Sequence, residues 1–250
     1  MNNSPSPLHY VRALLKTDFT VLLKSTRAMA ASILAPVYIL IIGRSSRSQK
    51  LGGSDFMLVL ALTVGLLSLA LVAYTLNIAR DRERGVFQRL RVTPAPTWTI
   101  MVSRILIQVV VGEIITLAVL IVSSRMNHIA LSVGEYFSVL LVALLEAAVF
   151  LAIGQALVGL VKSAQTVTAT GSFLYAALLI TGLLGVSGFL GSSFETFAKW
   201  TPVGTIIAIF QSVLHQTAWD GHTWLSLLAC FGYIVVFGFI GIKWFKWEAR

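Results

Sequence analysis

The chain has 250 residues, 57% of them apolar and only 12% charged, with a formal charge of +9. An average soluble domain carries about 25% charged residues, so this composition excludes an ordinary soluble fold and belongs to a membrane protein. A single cysteine, Cys230, excludes an intrachain disulfide and a cysteine metal cluster, and His9, His128, His215 and His222 are too scattered for a metal site. The basic residues gather at the edges of apolar runs, where membrane topology explains them, so nucleic acid is not an expected partner. Several windows exceed the roughly 18 apolar residues that cross a ~30 Å hydrocarbon core as a helix, and no alternating pattern suggests a barrel. The expected fold class is an all-α integral membrane protein, a single domain over residues 1–250 with six spans.

Residues 1–27 lack the continuous apolar region and cleavage site of a signal peptide, and we read them as retained. Tyr10, Leu14, Phe19, Val21 and Leu22 alternate with Arg12, Lys16, Asp18 and Lys24, which suits a helix lying in the membrane interface. The alternative is a basic leader running straight into the first span. Spans are expected at about 28–43, 56–79, 98–123, 136–161, 168–190 and 224–242. The first is short and borrows a turn from the preceding segment.

Between the second and third spans, residues 80–97 concentrate charge in "RDRERGVFQRLRVTPAP". Wound as a helix along the membrane, this segment places Val86, Phe87 and Leu90 on one face and arginines over much of the rest, and its prolines end it. It reads either as a simple positive-inside loop or as a docking surface for a cytoplasmic partner. The two acids, the apolar face and the prolines favour docking.

Three ionisable residues fall inside expected spans. Arg104, about 9 Å from the inner edge, snorkels. Glu113 and Glu146 each lie about 22 Å from the cytoplasmic end, so they share a depth. Two carboxylates at one level in low dielectric do not both stay ionised, and protonation or a bound cation is expected. Their functional reading is a cation-attracting patch on a substrate pathway. The structural one is a helix-to-helix hydrogen bond.

Gly182, Gly185, Gly188 and Gly191 recur every three residues, permitting close helix contact or a break. Beyond them, residues 191–223 contain the short apolar run Val203 to Leu214 behind Pro202, better suited to a re-entrant segment than to a span. With an even number of spans, thirteen Lys and Arg fall on the side of both termini and five on the other, which orients both termini to the cytoplasm. Arg44, Arg47 and Lys50 oppose that rule locally.

The stretch "RDRERGVFQRLRVTPAPTWTIMVSRIL" resembles the cytoplasmic connection of ABC-2 type transporter permeases, in which an E-R/K-G-x-x-x-x-L-x-x-x-P pattern follows the second span. Glu83, Arg84, Gly85, Leu90 and Pro94 meet that pattern, and "FETFAKWTPVGTIIAIFQSVL" is similar to the family's Pro-containing re-entrant segment. The resemblance implies a bacterial plasma-membrane subunit that pairs with a second permease copy, as a homodimer or with a paralogue, above two ATP-binding subunits that drive export. The loop at 80–97 is then the coupling helix, with Phe87 and Leu90 seated in the ATPase. No G-x-x-x-x-G-K-[ST] stretch occurs, so ATP and Mg are expected on the partner and no cofactor on this chain. A drug, antibiotic, peptide or lipid-like substrate is expected first and a polysaccharide or lipid-linked glycan second. From other classes, a membrane enzyme using Glu113 and Glu146 as acid and base, or a scaffold without transport, stays open.

Overall fold

The computed structural model describes residues 26–43, 53–87, 97–127, 131–185, 191–214 and 219–244. Among them every regular element is helical and no strand occurs. Helix α1 covers Thr26–Gly43. Helix α2, Gly53–Ser68, passes through a π-helical turn at Leu69–Tyr74 directly into α3, Thr75–Glu83. Then follow α4 (Thr97–Asn127) and α5 (Val133–Leu160). Helix α6, Ala164–Ile180, ends in a second π-helical turn, Thr181–Gly185. Helices α7 (Ser192–Lys199) and α8 (Pro202–Leu214) are short, and α9 covers Gly221–Lys243.

Among the described residues, four helices are long and apolar enough to cross a membrane: Asp55–Glu83, Ile100–Met126, Val133–Leu160 and Gly221–Lys243. Helices α7 and α8 together pass the same test as a pair bent by 84°, while Ile33–Gly43 and Ala164–Ile180 are shorter apolar helices. Length and composition thus give four spans, or five with the bent pair, against the six expected from sequence. The difference falls on the two elements that are short as uninterrupted α-helices.

The core is built around α2, whose side chains from Phe56 to Leu67 are buried on all sides. Helix α5 is two-sided along its inner half, where Val149 to Val158 is almost wholly buried, and α9 packs on it more extensively than any other pair of elements packs. In contrast α9 turns Leu228, Val235, Val236 and Phe239 outward, the distribution of a helix facing lipid or another chain.

Glycines set two of the closest approaches. A Cβ on Gly154 of α5 would stand 2.8 Å from the Ala70 carbonyl oxygen, and one on Gly171 of α6 would stand 2.7 Å from that of Leu71. Both carbonyls belong to the π turn, so α5 and α6 close on the place where the backbone of the second span is widened. Tyr74, the last residue of that turn, is buried and donates to Gln155 Oε1 at 2.6 Å.

The glycine run before α7 acts at particular positions. A Cβ on Gly182 would lie 2.2 Å from Val203 Cγ1, and Gly191 has φ +93° ahead of α7. Gly188 lies outside the described residues. At the corner between α7 and α8, Thr201 Oγ1 donates to Ala198 O and accepts from Gly204 N, while Tyr233 of α9 donates to Trp200 O. These bonds partner the backbone groups that the bend takes out of the helical ladder.

Candidate functional site

The charged stretch that sequence places in a loop begins as helix. Residues 80–83 continue α3, and the chain leaves it through a turn in which Arg84 N donates to Arg80 O and Gly85 N to Arg82 O. Gly85 has φ +68°, the left-handed conformation that ends helices and that glycine adopts without a Cβ penalty. This is a correction to a separate coupling helix starting at residue 80: the last turn of the second span already carries the first charges.

Three consecutive side chains then reach three different helices, because successive residues on a helix point about 100° apart. Asp81 pairs with Arg104 of α4 at 2.9 Å. Arg82, only 2% exposed, donates to the carbonyl oxygens of Val158 at 3.0 Å, Val161 at 2.7 Å and Lys162 at 2.6 Å, at the end of α5. Glu83 Oε1 accepts from Ala164 N at 2.6 Å, at the start of α6. A helix ends in unpaired carbonyls and begins in unpaired N–H groups, with partial charges to match. Arg82 and Glu83 therefore carry the right signs for the two helix ends they meet. Ser163, the N-cap of α6, accepts from Thr166 N and completes the junction.

Phe87 corrects another expectation. Its side chain is 0% exposed, packed within the chain's own core rather than held out to a partner. Of the other residues expected to dock, Arg84 is exposed and Glu83 is bound to α6, while Leu90 and Pro94 lie outside the described residues. Arg104 turns toward the charged end of the bundle, where it pairs with Asp81. The same end of the bundle holds Arg80, Arg84, Lys162 and Lys243, since α5 meets α9 there with Gly159 against Gly241.

A second polar group lies midway along the helices. Glu146 of α5 is 0% exposed, and neither carboxyl oxygen has a hydrogen-bond partner among the described residues. Glu113 of α4 is half-buried, close enough for its charge to act on Glu146, and its Oε1 is likewise buried without a partner. Cys230 of α9 is within electrostatic reach of Glu146 and donates to Thr205 Oγ1 of α8 at 3.5 Å. Sequence depth expected the two glutamates at one level; in the structure the Glu113 charge acts on Glu146, and Glu146 is enclosed by the chain rather than set on an open surface. Cys230 and Thr205 were not singled out by sequence, and nothing in their spacing marks them.

At the end opposite the charged junction, a cleft of about 620 Å³ opens between α5, α8 and α9. Ser138, Leu141, Leu145, Ser212, Trp219 and Leu227 line it. Its walls are held by caps: Ser132 and Glu135 form a reciprocal capping box on α5, and Asp220 Oδ1 accepts from Thr223 N at 2.7 Å on α9. Hydrogen bonds from the Thr223 hydroxyl and then from the Thr223 N–H hold the exposed Asp220 carboxyl below its ordinary range. Among the described residues, no group of three or more His, Cys, Asp or Glu is placed to hold a metal ion.

A family model described as ABC-2 type transporter matches residues 9–215. No curated protein matches the chain.

Proposed function

The chain belongs to the ABC-2 type transporter family, whose members are multi-pass permease subunits that work with ABC ATP-binding subunits, and from that premise we propose that it is the membrane half of an exporter. The observation that supports a mechanical reading is the fan of Asp81, Arg82 and Glu83 onto α4, α5 and α6. A partner that pushes on residues 80–97 cannot move α3 alone. Through Arg82 it carries the end of α5, and through Glu83 the start of α6, so one displacement at the inner surface reaches three neighbouring helices together.

In this reading residues 80–97 are the coupling segment, with exposed Arg80 and Arg84 meeting acidic groups on the ATPase and buried Phe87 fastening the segment to the bundle. Six spans, cytoplasmic termini, a bacterial plasma membrane and pairing with a second permease complete the proposal. The bent pair α7 and α8 is its re-entrant hairpin. Since Glu146 is enclosed, contact with a passing cationic substrate falls to Glu113, at the half-buried flank of α4.

An amphipathic compound suits the cleft better than a glycan, because its lining among the described residues mixes serines with leucines and includes one aromatic side chain, Trp219. A sugar path would be expected to stack on several. The test is to purify the permease with the ATP-binding subunit encoded beside it and measure ATP hydrolysis across drugs, peptides, lipid-like compounds and glycans. Stimulation by the amphipathic set is expected. A partner ATPase that neither copurifies nor responds to any compound would end the transporter reading.

A further inference from the structure

Among the described residues, the ionisable groups that face Glu146 can be named, and none of them is a cation. Helix α4 presents Glu113. Helix α9 presents Cys230, with Tyr233 next to that thiol, while its His222 and Lys243 stand at its two ends. Helix α8 has no titratable side chain, and the one in α2, Asp55, sits in its first turn. The adjoining π turn offers Tyr74, whose hydroxyl is already given to Gln155. Among the described residues Glu146 is thus an enclosed carboxyl with both oxygens unpartnered, and the charge that acts on it is a second carboxyl, Glu113, whose Oε1 is also buried and unpartnered there.

An ionised carboxylate removed from water without a hydrogen bond or counter-ion is strongly disfavoured, and two side by side more so. A protonated carboxyl changes the account. It becomes a donor as well as an acceptor, so a single proton lets one glutamate bond to the other. We propose that Glu146 and Glu113 form a proton-binding pair in the membrane interior, one proton held between two carboxyls and fastening α4 to α5. Release of that proton leaves two like charges where α4, α5 and α9 meet, and the helices separate or admit water. The site is independent of the charged junction at the inner end and would give the permease a response to proton activity that ATP binding does not supply.

The test needs neither substrate nor ATPase. Wild-type protein, E146Q and E113Q in lipid nanodiscs are treated with dicyclohexylcarbodiimide, which enters hydrocarbon and adds to protonated carboxyls, and adducts are mapped by mass spectrometry. One adduct per chain is expected on the pair at about pH 8, where free carboxyls are ionised, with Glu195 and Asp220 unmodified. Labelling should also persist to higher pH in the wild type than at the carboxyl left in either variant. A parallel measurement covers a reagent that does not enter. The wild type should lose about 5 °C of melting temperature between about pH 6 and pH 9, because a proton retained only in the folded state contributes stability that disappears as pH rises. The E113Q/E146Q double variant should stay flat over that range. Parallel melting profiles for wild type and double variant, or labelling at Glu146 that is indifferent to E113Q, would overturn the pair while leaving the transporter assignment standing.

Discussion

Arg82 and Glu146 are both buried ionisable side chains within helices, and they are treated in opposite ways. Arg82 has three carbonyl acceptors at the end of α5, whereas Glu146 has no hydrogen-bond partner at all among the described residues. A buried charge with several hydrogen-bond partners fixes geometry, because moving it breaks several charge-assisted bonds at once. A buried carboxyl without them is free to exist in two protonation states. On the proposed function, the charged end of the bundle is suited to transmitting displacement and its middle to changing state.

The largest expected effect breaks the first half of that contrast. Arg82→Ala leaves the carbonyls of Val158, Val161 and Lys162 without their donor, at a cost of about 3 kcal/mol or more. Membrane abundance and melting temperature should both fall. Arg82→Lys should recover only part, since one ammonium cannot reproduce a planar fork. Wild-type stability in Arg82→Ala would show that the junction is held by something else. Phe87→Ala belongs beside it: loss of a wholly buried ring costs about 3 kcal/mol through the cavity it leaves, so reduced abundance is expected where an exposed docking residue would leave abundance normal.

Next comes the packing on which the junction rests. Gly171→Ala forces a methyl to within 2.7 Å of the Leu71 carbonyl, and overpacking of this kind costs about 1–3 kcal/mol. Thermal unfolding in detergent should show the loss, and an unchanged midpoint would mean that α6 shifts freely against the π turn.

Glu83→Ala separates stability from coupling. Removing a capping acceptor costs only about 1 kcal/mol, so the protein should still reach the membrane, yet α6 loses its bond to the moving segment. Substrate-stimulated ATP hydrolysis should drop while basal hydrolysis persists. Equal stimulation in wild type and variant would remove Glu83 from the transmission path.

The smallest effect is at the other end, on Asp220. Its folded carboxyl is held below the ordinary value by hydrogen bonds from Thr223, so the stability it contributes is full above the ordinary carboxylate range and is lost as pH falls through the depressed folded value. Melting curves of wild type and Asp220→Ala should differ slightly at neutral pH and converge in acid. Curves that stay apart in acid would show that the cap works without its charge.

Composition and apolar runs were enough to read an all-helical membrane protein, and the rise per residue of a helix was enough to expect Glu113 and Glu146 at a similar depth. The break at Pro202 was also visible. What sequence could not show was direction around the helix axis. Asp81, Arg82 and Glu83 read as parts of one docking surface, yet each leaves α3 toward a different neighbour, and only the packing of α4, α5 and α6 decides which. Phe87 failed for a related reason, since an apolar residue in a charged segment suits a partner's cleft and the chain's own core equally well. The one available clue was "VKSAQ" at residues 161–165, a polar interruption that signals a helix end and a helix start needing opposite partners.

The π turn at Leu69–Tyr74 has a consequence for how this protein tolerates change in length. A π turn accommodates one residue more than the α-helical register allows, and each residue of an α-helix turns the axis by about 100°. Deleting a single residue there, such as Val72, would return the second span to unbroken α-helix and leave everything below it facing the same way, whereas a deletion in α3 between the turn and Asp81 would swing the end of the span by that angle. In the second case Asp81, Arg82 and Glu83 would each address the wrong neighbour, although no charge had been altered. The second span thus has one place where a residue is surplus, while the stretch below it counts every residue.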